Sequence, residues 1–157
     1  MIPVRYQDIP KEDIPKAASE DGKVRVAVIA GEAMGQSAVI DTHTPIIYLH
    51  YTLSPGGSIE QAIPPDHNAL VYIVSGEAIL GSNKKKVGEG QLATMSTGDT
   101  LQIRNAENAD QDVDLLILAG IPIGEPLARY GPFVMNSEDE IREAIDDYRN
   151  GRMGSIV

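Results

Sequence analysis

The sequence predicts an all-β sandwich or barrel followed by one C-terminal helix. Short runs of apolar, β-branched and aromatic residues recur between residues 24 and 119, and turn residues separate them. Fifteen Gly and ten Pro, scattered at short intervals, suit many strands and turns better than long helices. Helical periodicity is confined to residues 137–150.

In chain order, residues 1–22 are rich in Pro, Asp, Glu and Lys and read as an extended arm or linker. Ile9-Pro10 and Ile14-Pro15 are extended dipeptides, because the residue before Pro is pushed out of the α region. Residues 24–30 make a first strand, 31–35 a turn and 38–40 a short strand. Residues 46–53 make a longer strand, with Ile47, Leu49, Tyr51 and Leu53 on one face and Ile46, Tyr48, His50 and Thr52 on the other. After a turn at Ser54-Pro55-Gly56-Gly57, residues 58–63 run as a strand to Pro64-Pro65. The densest β signal follows: residues 70–74, a turn at Ser75-Gly76-Glu77, and a return over 78–80 that reads as a hairpin. Residues 81–90 form a polar turn region around Lys84, Lys85 and Lys86. Strands are expected over 91–96, 100–104 and 113–119, with a polar loop at 105–111.

The C-terminal part changes character. Residues 120–136 are a connection punctuated by Pro and Gly. Ser137, with Glu140 three residues on, forms a capping box, and Glu138, Asp139 and Glu140 suit the positive end of a helix dipole. Ile141, Ala144, Ile145 and Tyr148 make one apolar stripe, and Gly151 is a fitting stop. The division expected is an arm (1–22), a barrel (23–136) and a helix (137–150) packed on the barrel.

Composition narrows the function classes. A chain of 157 residues with 42% apolar content buries a substantial core within one domain. With no Trp and one Phe, that core is built from Val, Ile, Leu and Tyr. The absence of Cys excludes disulfides and thiolate-ligated zinc or iron–sulfur sites. A net charge of −10 argues against a nucleic-acid surface, and no run is apolar enough to span a membrane, so a cytoplasmic location is expected. No Ser-His-Asp arrangement, phosphate-cradling Gly loop or paired carboxylates stand out.

Several ordered motifs resemble one family. Glu125-Pro126-Leu127 and Tyr130-Gly131-Pro132-Phe133-Val134-Met135-Asn136, followed by the capped helix, are similar to the end of pirin-family proteins. Residues 26–35, Thr42-His43-Thr44-Pro45, residues 46–53 and His67-Asn68-Ala69 with Val71-Tyr72 resemble the start and centre of the pirin C-terminal half. Tyr6-Gln7-Asp8-Ile9-Pro10 resembles its interdomain linker. The resemblance implies a cupin-type double-stranded β-helix, a jelly-roll barrel. It also implies correspondence to the second half of a bicupin, whose first half holds a single iron through three His and one Glu. Family members are linked to quercetinase-type dioxygenase activity, and animal members to nuclear co-regulation.

A metal-binding cupin brings two His and a Glu from one hairpin, and a third His from a later strand, to one ion. Counting back from Gly76, the Glu position falls on Ala69 or Asn68. The His pair falls among Gln61, Ala62, Ile63, Pro64 and Pro65. In the second motif Gly98 and Asn105 fit, but the His position is Leu101. The ligand set is substituted, so no catalytic residue and no cofactor are expected. The alternative is an atypical site for a single Fe, Mn, Ni or Zn ion built from His43, His50 and His67, for which surface or hydrogen-bonding roles are the plainer reading. His67, at a barrel mouth, is either a pocket polar group or a turn His bonded to backbone. Tyr48, Tyr51 and Tyr72 either line an aromatic pocket or supply core. Tyr51 and His67 are thus the ligand-binding candidates. Arg129-Tyr130 either contacts a partner or packs the helix. The expected role is a binding or assembly module that forms a homodimer or pairs with a separate metal-bearing cupin subunit. The rival is a quercetinase-like dioxygenase.

Overall fold

The computed structural model describes residues 6–154. Its strands are β1 (Lys16–Ala18), β2 (Val24–Ala30), β3 (Glu32–Ala33), β4 (Gln36–Ser37), β5 (Ile46–Leu53), β6 (Ser58–Ala62), β7 (Asn68–Ser75), β8 (Glu77–Leu80), β9 (Lys85–Gly88), β10 (Leu92–Thr94), β11 (Thr100–Arg104), β12 (Val113–Gly120), β13 (Ala128–Tyr130) and β14 (Phe133–Met135), followed by helix α1 (Glu138–Arg149). They fall into two compact units that meet between Pro122 and Ile123.

The first unit holds two main antiparallel sheets. One has the order β1-β2-β5-β12-β7-β10, the other β6-β11-β8-β9. Strand alternation sets the core. Leu49, Tyr51 and Leu53 of β5, Val71 and Ile73 of β7, and Leu115 and Ile117 of β12 turn inward from the first sheet. Ala78 and Leu80 of β8, Val87 of β9, and Leu101 and Ile103 of β11 turn inward from the second, and all join one buried cluster. This is the jelly-roll barrel that the resemblance implies.

Residues 70–80 do not form a hairpin. β7 pairs with β12 and β10, while β8 pairs with β11 and β9. The turn residue Gly76 is instead a corner at which the chain passes from one sheet to the other. Its φ is 81°, and a Cβ there would stand 2.7 Å from the backbone oxygen of Asp112. Only glycine meets both demands without strain.

Other differences follow from pairing that short runs do not reveal. Residues 38–40 are not a strand: the chain makes its small hairpin earlier, with Glu32 opposite Ser37, and leaves Val39 exposed. The part of the expected arm before Tyr6 lies outside the described residues. Within the rest of it, β1 pairs with β2, Lys16 opposite Ala27, and Val28 N–H donates to the Pro15 carbonyl at 2.8 Å. The Lys run is the turn and outgoing strand of the β8–β9 hairpin, with Lys86 paired to Glu77 at 2.8 Å.

The second unit contains the β13–β14 hairpin, which the Pro and Gly of residues 120–136 conceal, and α1. The capping box forms: Ser137 Oγ accepts from Glu140 N–H, and Glu140 Oε2 accepts from Ser137 N–H at 2.9 Å. Ile141 and Ala144 are buried, and α1 contacts both strands of the hairpin of its own unit. Tyr148 is mostly exposed but meets the ring of Phe133 edge-on.

Candidate functional site

In the first unit a cavity of about 890 Å³ opens between the β2–β3 turn, the start of β5 and strand β6. Its lining includes Glu32, Ile47, Tyr51, Gln61, Ile63 and His67. Both ligand-binding candidates read from the sequence, Tyr51 and His67, stand in this wall.

The inner wall is a closed polar pair. Alternation along β5 turns Tyr51 inward, where it is 2% exposed. On β6, Gln61 lies opposite Leu101 of β11 and is the buried residue of its strand. The Tyr51 hydroxyl donates to Gln61 Oε1 at 2.9 Å. Gln61 Nε2 donates to the carbonyls of Ala62 at 3.1 Å and Glu32 at 3.4 Å. Burial pushes the Tyr51 hydroxyl up to about 12, since the phenolate has little water to solvate it. The sequence places Gln61 among the substituted cupin ligand positions and does not single it out as Tyr51's partner. Its signal was the inward register Ile59-Gln61-Ile63, an amide between two apolar side chains.

The rim is a second pair. The turn over residues 64–67 closes with His67 N–H donating to the Pro64 carbonyl at 3.0 Å, and Pro65 sits where the fixed φ of Pro favours such a turn. His67 Nδ1 lies 2.9 Å from Asp66 Oδ1, and that hydrogen bond holds the Asp66 carboxyl below its ordinary value. The imidazole is only 5% exposed while Asp66 is open to solvent. His67 also borders a smaller cavity of about 200 Å³, shared with Ile63, Ala69 and Leu101.

The other candidates lie elsewhere. His50 projects from the opposite face of β5, half-exposed, with Nε2 3.4 Å from Asp114 Oδ1. His43 is exposed in the loop before β5. Tyr48 and Tyr72 do not line the cavity, and Arg129 and Tyr130 are exposed on β13 in the second unit. The three His are therefore not gathered, and no group of three or more His, Cys, Asp or Glu among the described residues is placed to hold a metal ion. Where the cupin ligand positions fall, β6 and β11 present Gln61 and Leu101 side by side, with Tyr51 across from them. An amide already hydrogen-bonded to a phenol and to two backbone carbonyls, beside an isobutyl group, does not fit iron, manganese, nickel or zinc.

The two facing sheets and the cavity at their mouth define the chain as a cupin. Residues 48–154 match the Pirin C-terminal cupin domain, and the chain belongs to that family. It is 38% identical to human Pirin over 156 residues, which are 98% of this chain and 52% of the human protein. It is 40% identical to a Pirin-like protein of tomato (Solanum lycopersicum) over 155 residues, again 98% of this chain and 52% of that protein. Among solved structures it superposes on a quercetin 2,3-dioxygenase from Acinetobacter baumannii with a TM-score of 0.86 and 34% identity, covering 100% of this chain and 53% of that one. The chain thus spans about half the length of the curated relatives it matches. Among the described residues no helix is long and apolar enough to cross a membrane.

Proposed function

We propose that this pirin-type cupin domain is a binding and assembly module that works without a metal ion of its own. The observation that carries this reading is the Tyr51–Gln61 pair, which places an amide at one of the positions where the motif count expects a cupin His and uses its polar atoms on the protein itself. Assembly is supported by Ile123, Leu127, Tyr130 and Val134 of the second unit, each more than half exposed. Their occupant is a second copy of this chain, forming a dimer that imitates a bicupin.

The dioxygenase reading is favoured by the likeness to the Acinetobacter enzyme and opposed by the separation of His43, His50 and His67. Metal content of untagged protein purified without chelator separates the two. Less than about a tenth of an ion per chain is expected, against the full occupancy of a high-affinity site. Near-stoichiometric metal that falls in His50→Ala or His67→Ala overturns the proposal in favour of the dioxygenase. Sedimentation tests assembly: a dimer is expected. A strict monomer removes self-assembly, and recovery with a separate cupin subunit replaces the second copy as occupant.

A further inference from the structure

The rim pair is unfinished in a way the inner pair is not. Asp66 is held ionised by its hydrogen bond, and a carboxylate can only accept, so Nδ1 of His67 carries the proton of that bond. In the neutral ring this fixes the tautomer and leaves Nε2 with a bare lone pair. No described residue reaches Nε2 within hydrogen-bond distance, although the side chain is more than nine-tenths buried. Asn105 Oδ1 is the only side-chain nitrogen or oxygen among the described residues that is both sealed from solvent and without a partner, so Nε2 is reached by solvent, and its ring borders both cavities.

The remaining lining limits what can supply the partner. The Tyr51 hydroxyl already donates its hydrogen bond to Gln61, and the Gln61 amide N–H groups are spent on two backbone carbonyls. The charged side chains in the wall are Glu32 and Glu60, and no Lys or Arg among the described residues lines it. An anion entering would be desolvated with no cation to meet it. Ile46, Ile47, Ile59, Ile63 and Pro64 give the rest an apolar surface, the usual composition of a small-molecule site with few polar anchors.

We propose that this cavity binds a neutral, largely apolar molecule carrying a hydroxyl group, and that the hydroxyl donates to Nε2 of His67. Asp66 is the positioning residue that holds the ring in its accepting tautomer. The inference rests on reading the domain as a binding module and adds the ligand class and its anchor.

Calorimetric titration of the full chain at neutral pH with 2-naphthol, 2-methoxynaphthalene and 2-naphthoate tests it. The first carries the donor, the second lacks it, and the third replaces it with a negative charge. Saturable binding of 2-naphthol is expected, with the methyl ether about tenfold weaker for the lost hydrogen bond and the carboxylate weaker still. His67→Phe keeps a ring but removes the acceptor, and brings 2-naphthol down to the level of the ether. Equal binding of 2-naphthol and its ether to the unaltered chain overturns the anchor, and that comparison stands even where the variant fails to fold. Tightest binding of 2-naphthoate, or no binding of any of the three, overturns the ligand class. With little metal in the protein, such a failure leaves the assembly role standing. Near-stoichiometric metal removes the module reading whatever 2-naphthol does.

Discussion

The cavity has two polar pairs in its wall, Tyr51–Gln61 inside and Asp66–His67 at the rim, and they are finished differently. The inner pair closes on itself and on two backbone carbonyls. The rim pair satisfies one ring nitrogen and leaves the other open. Closure makes a buried polar group part of the packing, where its removal costs stability. Incompleteness makes it available to something that enters from outside. Under the proposal, the loss of one pair therefore falls on folding and the loss of the other on binding.

The strongest way to break this contrast is Gln61→Ala. It empties volume against Leu101 and strands the Tyr51 hydroxyl, so chemical denaturation should report a loss of about 2–4 kcal/mol. A loss near zero would mean that the inner pair is not closed. Next comes alkaline unfolding. The Tyr51 hydroxyl keeps its proton to about 12 in the folded chain and loses it near 10.0 in the unfolded one. Above pH 10 the unfolded state therefore binds fewer protons. The contribution is complete below about pH 10 and is lost as pH rises toward 12, by about 2–3 kcal/mol in all. Tyr51→Phe should flatten that part of the stability profile. At neutral pH the same substitution leaves Gln61 Oε1 without its donor and costs about 1–2 kcal/mol. Adding Gln61→Leu should recover much of the loss, because an apolar pair leaves nothing unsatisfied. The smallest effect belongs to the rim: His67→Phe should change unfolding stability by less than about 1 kcal/mol, because no buried partner is stranded. A larger loss would make His67 a structural residue like Gln61.

The strands that can be read from local pattern are the ones whose partners do not matter to the reading. β2, β5 and β11 alternate or run apolar with Gly or Pro nearby, and their limits follow from residues 24–30, 46–53 and 100–104 alone. The step at Gly76 shows the opposite case. Two apolar runs around one Gly look like a hairpin, and only the pairing of β7 with β12, far along the chain, makes the Gly a corner between sheets. The β13–β14 hairpin is hidden by the Pro and Gly around it. The site was partly legible for the same reason. Tyr51 and His67 stood out by residue type and position, whereas Gln61 becomes significant only once its register against Leu101 turns it inward. Asn105 matches a cupin motif position, yet its Nδ2 is spent on the carbonyls of Leu53 and Gln111, which ties down the loop after β11.

The order of the six-stranded sheet has a consequence for synthesis on the ribosome. β12 lies between β5 and β7 but is the last of the three to emerge. Until residues 113–120 leave the exit tunnel, the nascent chain carries two apolar strands with open edges facing an empty seam. Such edges recruit neighbours, so a stalled or truncated product is an aggregation hazard until its last long strand arrives.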